Sequence, residues 1–70
     1  MIYTHAKRYQ IDMWLAEDRS GVVSRMEFDR REDAERVFSE RTADGPYRAA
    51  ILMEWRPDSA QWVLLRKFPG

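Results

Sequence analysis

The chain has no cysteine, a single histidine, three glycines and three prolines in 70 residues. Without cysteine there is no disulfide, no thiolate nucleophile and no Cys-based zinc or iron-sulfur site, so the fold is indifferent to redox compartment. His5 has no partners at ligand spacing, the pattern of an ordinary surface histidine. Charge of one sign is missing too: twelve basic residues balance twelve acidic ones, which removes any long-range field toward nucleic acid or an anionic membrane. No stretch approaches the roughly 20 apolar residues of a membrane span. The opening MIYTHAKRYQ lacks the apolar centre of a signal peptide, and a cytosolic location is expected.

Catalytic motifs are absent as well. There is no Gly-rich phosphate loop, and Ser20, Ser24, Ser39 and Ser59 have no nucleophile elbow, base or oxyanion loop around them. Most acidic residues have an arginine three or four positions away or sit in turns. Asp12 and Glu27 read as solvated sheet charges, not as a proton-sharing pair. The expectation is a protein with no enzymatic activity, no catalytic residue, no cofactor and no metal.

What is present is an aromatic-rich core in a short chain. Seventy residues bury only about 60% of their extended surface, and three Trp, three Tyr, three Phe and four Met supply the apolar bulk. Alternation at Tyr9, Ile11, Met13 and Leu15 predicts a first strand over 8–17, and Val22 to Phe28 returns as a second after the turn Asp18-Arg19-Ser20-Gly21. A four-residue loop sets Met13 opposite Met26 and Ile11 opposite Phe28. It also sets Asp12 against Glu27, an unfavourable pair that keeps a shifted register or a bulge open.

Asp29 followed by Glu32 matches a capping box and predicts a helix from Arg30. Ala34, Val37, Phe38 and the stem of Arg41 form its apolar stripe. Arg31 with Glu35, Glu32 with Arg36, and Arg36 with Glu40 are solvent-side pairs. Gly45, in a left-handed cap, and Pro46 end it.

From Tyr47 the odd positions Ala49, Ile51, Met53 and Trp55 alternate, and beyond Pro57-Asp58-Ser59-Ala60 the even positions Trp62, Leu64, Arg66 and Phe68 do. Pairing Arg56 with Gln61 faces Trp55 with Trp62 and Met53 with Leu64 on one side. On the other it brings Leu52 against Leu65, with Val63 beside Glu54. The whole is expected to be a single domain, residues 1–70, of α+β class: a two-layer ββαββ unit in which one helix packs on one face of a four-stranded antiparallel sheet.

One helix leaves the far face of the sheet open. The Trp55–Trp62 side, which shares its face with Ile51, Met53 and Leu64, is expected beneath the helix. The open face then carries Trp14, Ala16, Val23, Leu52, Val63 and Leu65 among Arg8, Asp12, Arg25, Glu27, Arg48, Glu54, Arg56 and Lys67. The candidate partner-binding set is Trp14, Arg25, Leu52, Val63, Leu65, Arg48 and Arg56, because Trp and Arg are enriched at binding hot spots and exposed leucines favour burial. Such a surface fits a non-enzymatic protein-binding module that takes a protein partner or a second copy of itself. The alternative is a single-strand nucleic-acid binder that stacks bases on Trp14 and Tyr9 and neutralises phosphates with Arg8, Arg25, Arg48, Arg56 and Lys67.

The size, the lack of cysteine, the strand-helix-strand build and the closing hairpin ILMEWRPDSAQWVLLRKFPG resemble small phage or prophage proteins, among them some anti-CRISPR inhibitors. The resemblance is one of size and layout and transfers no site residue. It implies a compact, non-catalytic inhibitor in the bacterial host cytosol that blocks a CRISPR or other nucleic-acid-processing complex by occupying a surface on it.

Overall fold

A computed structural model of the chain describes residues 7–16, 18–21 and 24–70. His5 and Val23 lie outside the described residues. The elements are β1 (Tyr9–Trp14), β2 (Ser24–Phe28), α1 (Arg31–Asp44), β3 (Ala49–Arg56) and β4 (Gln61–Phe68). The strands form one antiparallel sheet in the order β2-β1-β3-β4, with the helix on one face, so the two-layer α+β architecture is the one the hydrophobic pattern predicts.

β1 follows from its alternation. Tyr9, Ile11 and Met13 turn toward the helix, and Gln10, Asp12 and Trp14 turn away. β2 pairs with it two residues out of the expected register: Ile11 faces Met26, Tyr9 faces Phe28, and Asp12 faces Arg25. The shift replaces the Asp12–Glu27 repulsion with an ion pair and keeps the same residues on the core side. Within the connection Arg19 (φ 60) and Gly21 (φ 71) take left-handed conformations.

The helix begins at Arg31, and its N-cap Arg30 makes no side-chain cap bond, so the expected capping box does not form. Both of its members are engaged elsewhere: the Asp29 carboxylate accepts from Lys7 Nζ at 2.9 Å, and Glu32 pairs with Arg30. That bond raises the Lys7 ammonium above its ordinary pKa. Glu32 and Asp33 in the first turn and Arg41 in the last complement the helix dipole. Arg31 pairs with Glu35 at 3.2 Å as expected, whereas Arg36 pairs with Asp33 at 3.5 Å instead of with Glu32 or Glu40. Gly45 ends the helix with its N–H on the Arg41 carbonyl at 2.9 Å, yet its φ is −94° and not left-handed. Glycine is needed there for closeness, because a Cβ would lie 2.4 Å from that same oxygen.

Ala34 and Phe38 are the buried helix residues, and they meet Ile11, Met13, Ala50 and Leu52. Tyr9, Met26, Phe28, Val37, Tyr47, Leu65 and Phe68 close the rim. The core side of β3 is therefore the even one. This reverses the expected orientation of the closing hairpin: Ile51, Met53 and Trp55 turn away from the helix, and Leu52 lies at 0% exposure beneath it.

The hairpin's internal pairing is the predicted one as far as the bulge, with Arg56 on Gln61, Trp55 on Trp62, Glu54 on Val63 and Met53 on Leu64. Leu52 then pairs with Arg66, so Leu65 is an extra residue on β4. The bulge turns both Leu65 and Arg66 toward the helix. Arg66 stacks 4.9 Å from the Phe38 ring and donates to Ser39 Oγ at 3.0 Å and Glu35 Oε1 at 3.4 Å, tying β4 to α1.

The two faces predict opposite mutational costs. Leu52→Ala is expected to destabilise the fold by about 2–5 kcal/mol through lost burial and a residual cavity. Leu64→Ala, on the far side, is expected to stay within about 0.5 kcal/mol of the parent. Urea unfolding of both variants measures this, and a larger cost for Leu64→Ala than for Leu52→Ala would show that the hairpin presents its other face to the helix.

Candidate functional site

The face turned away from the helix can be drawn as a lattice from the strand pairing. One row reads Glu27, Gln10, Met53, Leu64 across β2-β1-β3-β4, and the next reads Arg25, Asp12, Ile51, Lys67. Above the first row come Trp55 and Trp62, and below the second come Trp14 and Ala49. Lys67 and Trp14 apart, the β3–β4 half is apolar and the β2–β1 half polar. Leu64 is 54% exposed; Ile51, Met53, Trp55 and Trp62 are half-buried, and the two indoles touch with ring centroids 5.4 Å apart at 59°.

Asp12 anchors the polar half. At 6% exposure its carboxylate accepts from Arg25 Nε at 2.9 Å, from Arg25 Nη2 at 3.5 Å and from Gln10 Nε2 at 3.2 Å. The hydrogen bond to Asp12, and then its charge, raise the Arg25 guanidinium above its ordinary pKa. Trp14 lies on the expected side but is 7% exposed, with the Arg19 guanidinium 5.6 Å from its ring centroid. An indole so covered offers little surface to a partner. Ala49 beside it is buried as well.

Of the seven sequence-predicted site residues, the structure brings only Trp14 and Arg25 to the open face. Leu52 is core, Leu65 packs against the core from the bulge, and Val63 pairs with Glu54 on the helix side. Arg56 donates from Nε to Glu54 Oε1 at 2.9 Å, and Arg48 precedes β3 in the lining of a 440 Å³ groove with Gly45, Pro46, Tyr47, Phe68 and Pro69. The common cause is parity. Placing β3 the other way round exchanges the hairpin residues between the faces up to the bulge, beyond which Arg66, Lys67 and Phe68 keep their expected sides. Reasoning from sequence therefore missed Ile51, Met53, Trp55, Trp62 and Leu64 as surface candidates. A usable signal was the polar character of Gln10 and Asp12, which marks the open side of β1 but needs the β1–β3 register to be carried to β3.

A second carboxylate, Glu54, is buried on the helix side. It accepts from the Tyr9 hydroxyl at 3.1 Å and from Arg56, and it lies 3.7 Å from Arg8 Nε. Partial burial raises the Tyr9 phenol above its ordinary pKa, and the bond to Glu54 reinforces it. Among the described residues no group of three or more His, Asp or Glu is placed to hold a metal, and no helix is long and apolar enough to cross a membrane.

The Tyr9 phenol gives a pH test. A phenol whose folded pKa exceeds its unfolded value of 10.0 stabilises the fold fully below pH 10, and that contribution falls as pH rises toward the folded pKa. Absorbance titration at 295 nm is expected to show one late-ionising tyrosine that Tyr9→Phe removes, together with a flatter loss of stability above pH 10 in that variant. A late tyrosine that persists in Tyr9→Phe would refute the assignment.

No protein-family model, no curated protein and no solved structure matches the chain.

Proposed function

We propose that the protein is a non-enzymatic protein-binding module that docks through the open sheet face, with Met53, Leu64, Trp55 and Trp62 as its apolar centre and Arg25, Glu27 and Lys67 as its charged rim. The observation that carries this reading is the row Met53–Leu64 beside the Trp55–Trp62 pair, on the side the helix does not cover. Burying a large apolar side chain is worth about 1.5–3 kcal/mol, so a few such residues supply the drive for a specific contact. Large aromatics within a polar surround are the composition of interface cores. In its most concrete form the module is an inhibitor of the phage type, anti-CRISPR-like, that occupies a surface of a nucleic-acid-handling complex in a bacterial cytosol.

Direct nucleic-acid binding is the weaker reading. Three of the five cations it needs are committed to carboxylates, Arg8 and Arg56 to Glu54 and Arg25 to Asp12, and the proposed stacking residue Trp14 is covered. A neutral chain offers no compensating field.

The test is affinity capture from a bacterial lysate with the parent protein, with Leu64→Lys, and with Arg36→Glu on the exposed helix surface as the control. The expected result is a subunit of a nucleic-acid-processing complex recovered by the parent and the control and lost with Leu64→Lys. Equal recovery by all three would remove the open face from the binding reaction, and a low-salt gel shift by the parent at micromolar concentration would favour nucleic acid instead.

A further inference from the structure

The two central rows of the open face are complementary to themselves. Each carries one charge at the β2 end, Glu27 in one and Arg25 in the other, and apolar side chains at β3, Met53 and Ile51. Consider a two-fold axis crossing the strands midway between these rows. It lays each strand antiparallel over its own counterpart and exchanges the rows. Glu27 then comes over the exposed guanidinium of Arg25 of the second copy, which keeps its bond to its own Asp12, while Met53 meets Ile51 and Leu64 meets the aliphatic stem of Lys67. Each contact occurs twice.

A two-fold axis along the strands lacks this fit, because it sets Arg25 over Lys67 and leaves Glu27 over Leu64. Facing sheets rotate by about 30° relative to one another. The outer strands lie about 7 Å from the centre of the lattice, where that rotation displaces them by about 4 Å, within the reach of Arg and Glu side chains.

We infer that the occupant of the open face is a second copy of this chain, docked sheet on sheet about that axis. The inference rests on the protein-binding reading above and names its partner. The zero net charge places no long-range repulsion between copies. Four strands about 4.8 Å apart, with about 25 Å of strand length, present a flat footprint of roughly 400–500 Å². A standard stable complex buries about 800 Å² per partner. The dimer is therefore a weak one, formed at high micromolar concentration.

Leu64 provides the discriminating variants, since it is exposed in the single chain and faces Lys67 of the second copy. Leu64→Lys opposes two like charges across the interface, whereas Leu64→Glu opposes unlike ones, and both remove the same apolar side chain. Sedimentation equilibrium from about 10 µM to 1 mM, with circular dichroism to verify folding, is expected to give three results. The wild type moves from monomer toward dimer, Leu64→Lys weakens association about tenfold or more, and Leu64→Glu stays close to wild type. Equal weakening in both variants would overturn the two-fold register. A wild type that stays monomeric at 1 mM would overturn self-association, and if Leu64→Lys still lost a captured foreign protein, the protein-binding reading would survive without it.

Discussion

The contact on which the rest of the structure depends is that of Ala34 and Phe38 with the sheet. A helix of 14 residues with two buried side chains has a narrow apolar stripe and covers one face of four strands, never both. Ala34 and Ala50, one from each layer, are both fully buried, in one cluster with Phe38, Leu52, Ile11 and Met13. Small residues in both layers of the core let the layers approach, and close packing supplies the stability of a short chain. Trp55 and Trp62 under the same helix would hold it off the sheet. Bulk alone therefore did not decide which side of the hairpin became core.

The bulge at Leu65 is the second constraint. Ahead of it Trp62 and Leu64 point away from the helix; beyond it Arg66 and Phe68 point toward it. Without the extra residue, strict alternation along β4 would send Arg66 and Phe68 to the same side as Trp62 and Leu64. The helix would then lose the Arg66 bonds to Glu35 and Ser39, and the rim of the core would lose Phe68. One inserted residue thus supplies a closed core edge and an apolar far face from the same eight-residue strand.

The element order, the fold class, the core side of the first hairpin and the internal pairing of the second as far as the bulge were legible in the sequence. In these segments one face is plainly polar or the turn plainly marked: Gln10 and Asp12 against Ile11 and Met13, and Pro57-Asp58-Ser59-Ala60 between the ribbons. The site was legible only as a class, an uncovered sheet face with apolar content. Its membership was not, because β3 is apolar on both faces and local periodicity is silent about which one a distant helix will cover. The deciding quantity is the β1–β3 register, Tyr9 on Glu54 and Ile11 on Leu52, a long-range pairing that no window of sequence contains. Capping failed for a related reason: Asp29 was drawn to Lys7, 22 residues away, and not to the first turn of the helix beside it.

The same register explains why contact through this molecule is best sought on the face and not along the edge. β4 is an edge strand of eight residues, long enough to add a strand from another chain. Yet the bulge at Leu65 interrupts its ladder, and Arg66 and Lys67 follow at once, two of the devices that discourage edge pairing. β2, the other edge, has five residues and holds Arg25 on its outer face, tied to Asp12. With both edges blunted, the open side of β3 and β4, where Met53, Leu64 and the paired indoles lie, is the surface on which the proposed contact would have apolar area to bury against the cost of ordering a partner.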